Sequence, residues 1–548
     1  MPDNSYIAFV ERSLAEAGIA TERVEERLFP GELWLIAFVA RESLLLAQSM
    51  AGSIEQGLSS LSLDGDFSIT VTFRTSPESS TGSSSTTRRG KLASSQVDQL
   101  IQLLEARSRT SDALPSLRYI EDPRAGLAAV KTSRHHIIYG RRGVGKTALM
   151  LEAKRHAEGQ GYVTAWLNAQ IFRRTSPSVA FLVVAETVID ALLRHGGSSQ
   201  SDAFAHLRQV NQAIAQARET GLHTDIEVDN ILASLNKALR PILREDLVRL
   251  YVYIDDFYFF PIAEQPLLLD YISAMLRDCN GWLKIASIER LTRPFEPSSK
   301  LGIEIPHDAS KIDLDLTLEE PSSTQTFLES ILVDYTIAAG ITKLSHVAGK
   351  AALGRLALAS GGVLRDYITL FASSIVVARE KRLDPQEVGK EDVSGAARKS
   401  ADSKKRDLEQ DASENSGLLL STLERLSAQV QGERHTFFRV DFNQKSRPGY
   451  EILAQLVDLR FAHLIHASLS DQHKGGVKYE VYMLALSEFS DVRLKRGLYI
   501  LDLENGEWSL RLTGRAQSIR KLRGTQFRDA LRQAPLVDVE YLVNGESS

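Results

Sequence analysis

Residues 140–147, with the sequence GRRGVGKT, constrain the fold of this chain more than any other segment. They satisfy the whole pattern G-x-x-x-x-G-K-[ST]. The preceding residues 136–139 predict a short buried strand, and residues 148–153 predict the start of a helix. Glycines allow the backbone to fold tightly around a phosphate, and the N–H groups of such a loop and of the helix N-terminus point toward it. The pattern therefore predicts an α/β core with a phosphate-binding loop (P-loop) after a strand.

The side chains of this loop predict a nucleotide and a metal ion as cofactors. A lysine at the position of Lys146 reaches the β- and γ-phosphates, and a hydroxyl at the position of Thr147 ligates Mg²⁺. We expect ATP and Mg²⁺, and GTP stays open although the sequence has no motif that reads guanine. The predicted nucleotide-binding residues of the loop are Gly140, Arg141, Arg142, Gly143, Val144, Gly145, Lys146, Thr147 and Ala148.

The composition is that of a soluble globular protein, with 548 residues, 43% hydrophobic residues and a net charge of −5. Its length predicts roughly three or four domains. The single cysteine, Cys279, excludes an intramolecular disulfide framework and a zinc cluster and fits a reducing cytoplasm. The chain shows neither a secretory leader pattern nor an apolar run of about 20 residues, so we expect a cytoplasmic protein without a membrane partner.

Changes of pattern along the chain predict six segments. Alternating strand and helix patterns indicate a parallel sheet in the core, and runs rich in Ser, Thr or charge indicate linkers. Within the first segment, residues 33–39 predict either a strand or the start of a helix. The segments are a small α+β module at 1–74, a flexible linker at 75–95, a P-loop core at 96–300, an all-helical lid at 301–384, a polar linker at 385–415 and a final domain at 416–548.

Two carboxylates follow the predicted strand at 250–254. A carboxylate at the C-terminal edge of a strand beside a P-loop can hold Mg²⁺ through water, which makes Asp255 the predicted metal residue together with Thr147. Asp256 is placed to orient or deprotonate the attacking water. The alternative is an acidic turn without a catalytic role. Because many ATPases carry the longer Glu at this second position, Asp256 predicts slow hydrolysis.

Four further residues are candidates for contact with the nucleotide. Ser287 ends the strand predicted at 282–287 and either touches the γ-phosphate or is a turn residue. Arg290 or Arg293 either acts across a subunit boundary as an arginine finger or lies on the surface. Arg365 begins a helix after two glycines and either points toward the nucleotide or is solvated.

This succession of motifs resembles that of AAA+ ATPases, in particular the origin-recognition/Cdc6 group of replication initiators and their bacterial relatives. The resemblance covers roughly residues 96–384 and the architecture of the C-terminus. It implies a sensor 1 role for Ser287, where the family more often has Asn, and a sensor 2 role for Arg365. It also implies a helical insertion at 180–240 and gives no counterpart for 1–74. The predicted catalytic residues are Lys146, Asp255, Asp256, Ser287 and Arg365.

The final domain has the pattern of a winged helix. Helices at 418–426 and 450–461 are followed by alternating segments at 462–468 and 477–483, which are joined by a polar loop. Such a domain binds DNA or docks a protein. His463 and His466 have no cysteine partners and are interpreted as ordinary strand residues. The candidate DNA contacts are Arg439, Lys445, Arg447, His473, Lys474 and Lys478, with a second basic cluster at Arg511, Arg515, Arg520, Lys521, Arg523, Arg528 and Arg532.

The leading hypothesis is an ATP-dependent switch that acts on double-stranded DNA through a C-terminal winged helix and assembles as a homo-oligomer. The main alternative is a signalling or scaffold ATPase of the STAND kind, found in bacterial defence and mobile-element systems. In that case nucleotide gates oligomerisation, the winged helix packs internally, and residues 1–74 recruit a protein partner. A third hypothesis is a transposition or partition ATPase that loads onto DNA through the core itself.

Overall fold

The chain forms two compact units, which we describe separately. One comprises Met1–Arg89 with Arg109–Tyr119, and the other comprises Gly90–Ser108 with Ile120–Ser548. The computed structural model describes residues 5–29, 32–40, 43, 46–47, 50–61, 68–74, 91–106, 119–196, 201–220, 225–245, 248–410, 414–489, 497–513 and 519–544.

The first unit is an α+β module with a three-stranded sheet in the order β1-β2-β3. β2 is the middle strand, antiparallel to β1 and parallel to β3. Residues 33–39 are therefore strand, since a middle strand buries a near-continuous apolar run. The two helices pack on this sheet through Val10, Leu14 and Ile54. The elements are α1 Ser5–Glu16, β1 Thr21–Phe29, β2 Glu32–Val39, α2 Ala51–Leu61 and β3 Ser68–Arg74.

The linker prediction for 75–95 is wrong at its C-terminal end, and residues 75–90 lie outside the described part of the chain. Lys91–Ala93 forms a 3₁₀ turn, and helix α3 spans Ser95–Ala106. This helix packs beside a lid helix, where Arg379 donates to the Leu92 carbonyl at 2.8 Å and pairs with Asp98 at 2.7 Å.

The core of the second unit is a five-stranded, all-parallel sheet in the order β10-β4-β7-β6-β5. This confirms the predicted α/β P-loop fold. Its fifth strand, β10, lies within the segment predicted as helical lid, so the boundary at residue 300 is wrong. The strands are β4 His135–Tyr139, β5 Val163–Asn168, β6 Leu250–Asp255, β7 Gly281–Ser287 and β10 Ala309–Asp313, with a small hairpin of β8 Phe295–Glu296 and β9 Leu301–Gly302.

Helices cover this sheet, and three of them form the helical segment predicted between Lys146 and Asp255. Phe181, Leu207 and Leu235 lie within the same apolar core as the strands. The insertion therefore enlarges the core. The helices are α4 Gly126–Val130, α5 Lys146–Gly159, α6 Pro177–Gly196, α7 Asp202–Thr220, α8 Asp225–Arg240 and α9 Gln265–Leu276.

The helical lid extends further than predicted, because the polar tract at 385–415 is mostly helix and not linker. Its helix buries Val393, Ala396 and Ala401 on one side and pairs Lys399 with Glu380 on the other. Most of its residues are polar since only a narrow stripe is buried. The helices are α10 Pro321–Ala338, α11 Lys350–Ser360, α12 Leu364–Lys381 and α13 Lys390–Gln410.

The C-terminal region contains two antiparallel three-stranded sheets, ordered β11-β13-β12 and β14-β15-β16. Across the described ranges, no helix has the length and apolar character that a membrane crossing needs. The elements are α14 Glu414–Gly432, β11 Phe437–Asp441, a 3₁₀ turn Phe442–Ser446, α15 Pro448–Asp458, β12 Ala462–Ser470, β13 Lys478–Leu484, β14 Tyr499–Glu504, β15 Glu507–Leu512, β16 Ile519–Leu522, α16 Thr525–Arg532 and α17 Val539–Asn544.

Candidate functional site

The loop between β4 and α5 has the backbone that its glycines permit. Gly143 and Gly145 have φ values of +83° and +107°, which side chains disfavour. A Cβ on Gly143 would stand 2.7 Å from the Cβ of Arg365, so glycine allows the lid helix to approach the loop. Outside its own helix and adjacent residues, a Cβ on Gly145 would have its nearest neighbour, Leu364, only at 4.0 Å. This open side, beside the free N–H groups of the first turn of α5, fits a phosphate.

Lys146 is buried against the inside of the loop, with 6% of its surface exposed. Its Nζ donates to the carbonyl oxygens of Gly140 at 2.7 Å and Arg141 at 3.1 Å. Burial lowers the pKa of Lys146, and the nearby Asp315 and Asp255 carboxylates oppose that shift. The ammonium group thus lies in a poorly hydrated place, where its attraction for an anion is strong.

Thr147 and Asp255 meet where α5 begins and β6 ends. The Thr147 hydroxyl donates to Asp255 Oδ2 at 2.7 Å, and the Asp256 N–H donates to Asp255 Oδ1 at 2.8 Å. Among the described residues, no group of three or more His, Cys, Asp or Glu side chains is placed to hold a metal ion. A hydroxyl and one carboxylate nevertheless fit Mg²⁺, because its coordination is usually completed by water and nucleotide phosphates.

The ionised form of Asp255 lowers the stability of the folded protein. Burial, followed by the Asp256 charge, raises its pKa from 3.8 to about 6. A carboxyl whose pKa is raised in the folded state favours folding while protonated, and that contribution is lost as the pH rises through about 6. The ionised side chain is therefore destabilising at neutral pH until a cation binds beside it.

Asp255→Asn is expected to raise the thermal unfolding midpoint of the metal-free protein at pH 8, with a gain of roughly 2–3 kcal/mol because each pKa unit is about 1.4 kcal/mol. The isosteric amide can still accept from the Asp256 N–H through its oxygen, and its NH₂ group can donate to the Thr147 hydroxyl, which then accepts. Differential scanning fluorimetry in EDTA checks this, and the advantage should shrink at pH 5. Equal midpoints at pH 8 would show that Asp255 carries no such strain.

Asp256 is held by two amides that the sequence analysis missed. Its Oδ2 accepts from Asn168 Nδ2 at 3.3 Å and from Gln170 Nε2 at 3.1 Å. Asn168 ends β5 directly beside Asp255 in the register of the sheet. Asp256 itself has a left-handed φ of +53°, which is uncommon for a residue other than glycine. The sequence signal that could have identified Asn168 is its position as a polar residue at the end of a strand.

The two arginines of the loop contact protein groups. The Arg141 backbone N–H and Nε both donate to Asp315 Oδ1 at 2.9 Å, and its Nη2 donates to the Leu316 carbonyl at 3.0 Å. Burial opposes ionisation of Asp315, yet Arg141 holds the pKa of that carboxyl below its usual value. The Arg142 guanidinium lies 5.2 Å from the ring centre of Tyr258. Both arginines thus fix the loop to its surroundings.

The predicted lid arginine lies beside the loop. The backbone N–H of Arg365 donates to the Gly143 carbonyl at 2.9 Å, in the first turn of α12. Its side chain is exposed, and within the described residues it makes no ion pair. Arg365 is close enough to Lys146 to affect its pKa. The structure therefore brings together Lys146, Thr147, Asp255, Asp256 and Arg365.

Ser287, Arg290 and Arg293 are engaged within the chain. Ser287 is fully buried, and its hydroxyl shares a hydrogen bond of 2.5 Å with Thr292. This geometry favours the turn alternative for Ser287. Arg293 pairs with Glu296, and Arg290 pairs with two acidic residues of α15. The arginine-finger role of either residue stays a prediction.

The fold and this group of side chains define a P-loop nucleotide-binding core. Residues 120–277, which contain the loop and both aspartates, match the AAA ATPase domain family. This confirms, for that segment, the AAA+ resemblance predicted from the motifs. No curated protein sequence matches the chain.

Three solved structures are similar to the chain at low identity. The Orc1 protein of Aeropyrum pernix in complex with DNA is 16% identical, covering 68% of this chain and 93% of that one, with a TM-score of 0.35. Cdc6p of Pyrobaculum aerophilum is 14% identical, covering 64% and 85%, with a TM-score of 0.31. The Thermotoga maritima RuvB Holliday junction branch migration motor is 13% identical, covering 56% and 72%, with a TM-score of 0.26.

Proposed function

We propose that the protein is an ATP-binding and ATP-hydrolysing molecular switch. The observation that carries this proposal is the convergence of Lys146, Thr147 and Asp255 around a loop with an open glycine side. Lys146 and the loop N–H groups would hold the phosphates, and Thr147 and Asp255 would hold Mg²⁺. Bound MgATP supplies the phosphoryl group that is transferred to water, and Asp256 would orient that water.

The second part of the proposal is that the C-terminal region engages double-stranded DNA. Helix α14, strand β11, helix α15 and the β12–β13 hairpin follow one another as in a winged helix, which supports this interpretation. The loop of the hairpin, at 471–477, corresponds to the wing. Lys474 within this loop and Lys478 directly after it are exposed. Exposed lysines at a hairpin tip suit contact with backbone phosphates.

The candidate DNA contacts separate into engaged and exposed residues. Lys445 pairs with Glu480 at 2.7 Å, Arg447 pairs with Asp538 at 3.6 Å, and Arg439 donates to the Ala534 carbonyl at 2.8 Å. These three stabilise the C-terminal region. Arg515 lies outside the described residues. Lys521 and Arg523 both pair with Glu507, and Arg532 pairs with Asp529. The other candidate DNA contacts are exposed, and they are His473, Lys474, Lys478, Arg511, Arg520 and Arg528.

Helix α15 is a poor candidate for the major groove. Its sequence, PGYEILAQLVD, contains no lysine or arginine, and its Glu451 and Asp458 both pair with Arg290 of the ATPase core. DNA contact through the wing and α16 fits these charges better than contact through α15. We therefore assign the DNA-binding surface to Lys474 and Lys478 of the hairpin and Arg528 of α16, which contacts the hairpin through Asp529 and Arg532, and call it the wing surface.

The double variant Lys478→Gln, Arg528→Gln tests this assignment. We expect its affinity for duplex DNA to fall, and its log–log salt slope to decrease by about two, because two phosphate contacts are lost. Fluorescence anisotropy at two or more salt concentrations measures both quantities. The control is Lys237→Gln, Lys343→Gln, which changes the net charge equally at exposed positions on α8 and in the lid. Equal losses in the two variants would contradict a specific wing surface.

The pairing of α15 with the core also favours the second candidate, a signalling or scaffold ATPase in which the winged helix packs internally. Arg290 pairs with Glu451 and Asp458 of α15, a helix that would otherwise be free to bind DNA. In that case residues 1–74 would recruit a protein partner. Wild-type protein that binds ATP but shows no salt-sensitive DNA binding would favour this candidate.

A further inference from the structure

Arg460 has an unfavourable backbone conformation, and contacts of its side chain must offset the cost. It follows α15 with a φ of +69°, at the position after a helix end where glycine is preferred. A side chain in this left-handed region costs about 1 kcal/mol. Arg460 is nevertheless largely buried, with 9% of its side chain exposed. Backbone strain and burial together indicate that its guanidinium makes compensating contacts.

The guanidinium of Arg460 joins three parts of the second unit. Its Nη2 donates to the Arg142 carbonyl of the P-loop at 2.9 Å, and its Nε donates to Asp366 Oδ2 at 2.5 Å. Its Nη1 donates to two carbonyl oxygens at the end of α15, those of Val457 and Asp458, both at 3.1 Å. One side chain of the C-terminal region thus bonds both the phosphate loop and the lid.

Both distant contacts lie next to residues that would face a nucleotide. Arg142 precedes Gly143, whose carbonyl accepts from Arg365, and Asp366 directly follows Arg365. Nearby, His463 of β12 lies on the glycine turn that precedes α12, since a Cβ on Gly361 would stand 2.2 Å from its Nδ1. Burial lowers the pKa of His463 to about 3, so it adds no charge there. The C-terminal region therefore packs directly on the loop and the lid.

We propose that Arg460 is a positioning residue that holds the P-loop and the lid together and so slows the release of nucleotide. The inference rests on the nucleotide site of the proposed function. Without Arg460, the loop carbonyl and the start of α12 lose their common donor, and the two sides of the site separate more easily. To the extent that Arg460 raises the equilibrium affinity for nucleotide, linkage requires bound nucleotide to strengthen the docking of the C-terminal region by the same factor.

Arg460→Gly tests this role without straining the backbone, because glycine prefers the left-handed conformation. Arg434→Gly is the matched control: Arg434 has a φ of +64° after α14, and its side chain is exposed. The measurement is the dissociation rate of a fluorescent ADP in the presence of Mg²⁺, by stopped-flow displacement from the full chain. We expect Arg460→Gly to accelerate release about tenfold, as the loss of charge-assisted hydrogen bonds implies, and Arg434→Gly to leave the rate unchanged.

A second variant separates positioning from simple destabilisation. Asp366→Asn should also accelerate the release of the fluorescent ADP. The double variant with Arg460→Gly should accelerate release by less than the product of the two separate factors. Arg460→Gly both relieves backbone strain and removes four hydrogen bonds, so the coupling between the two variants, and not the unfolding midpoint, separates positioning from destabilisation. A wild-type release rate in Arg460→Gly would overturn the inference and leave the proposed function intact. Failure of the wild-type protein to bind the fluorescent ADP would instead overturn the proposed function.

Discussion

Replacing Lys146 with alanine is expected to weaken ATP binding at least about 100-fold, because the variant loses the buried ammonium group that lies inside the loop and is shielded there from water. Burial lowers the pKa of this lysine, so its charge is costly in the nucleotide-free protein. The variant should therefore fold normally while losing affinity. Isothermal titration with ATP and Mg²⁺ measures the change.

Lys154→Ala is the control for this prediction. Lys154 lies on the same helix as Lys146, two turns further on, and pairs with Glu158 at 3.1 Å. We expect its affinity for ATP to stay close to that of the wild type. Retained affinity in Lys146→Ala would show that the loop does not bind the triphosphate in the way proposed.

Asp256→Asn is expected to retain ATP binding and to lower the turnover rate by roughly 100-fold or more, within the usual contribution of a general base. The amide keeps the size of the carboxylate and can still accept from Asn168 or Gln170. It cannot take a proton from water, so the variant should accumulate in the ATP-bound state. Single-turnover phosphate release, measured beside equilibrium ATP binding, separates the two effects.

Asp278→Asn controls for the unusual backbone of Asp256. Asp278 also has a positive φ, of +61°, and it pairs with Arg240 at 3.3 Å on the surface of the P-loop domain. Its substitution should leave turnover unchanged. Normal turnover in Asp256→Asn would remove Asp256 from the mechanism, and equal losses in both variants would attribute the effect to the backbone.

The sequence predicted those parts of the site that depend on local patterns. The P-loop and the end of β6 are short contiguous motifs, and the parallel sheet aligns the strand ends that carry them. Strand β10 escaped prediction because ASKID has only two apolar residues, as an edge strand permits. Helix α13 escaped because only a narrow stripe of it is buried.

The contacts that join distant segments could not be predicted from one sequence. Arg460 and Arg142 are 318 residues apart, and Arg290 and Asp458 are 168 apart. Each of these side chains, considered alone, has the properties of an ordinary surface residue. Only the folded structure shows that acidic side chains of the C-terminal region form ion pairs with Arg290 of the ATPase core.

ATP hydrolysis by the purified full chain, with and without duplex DNA at two salt concentrations, shows whether nucleotide turnover is coupled to DNA. We expect Mg²⁺-dependent turnover that DNA stimulates at low salt and stimulates less at high salt, because the exposed wing surface binds phosphates. ATP binding without any response to DNA would contradict the coupling to DNA and favour the scaffold function. Failure to bind ATP at all would contradict the switch itself.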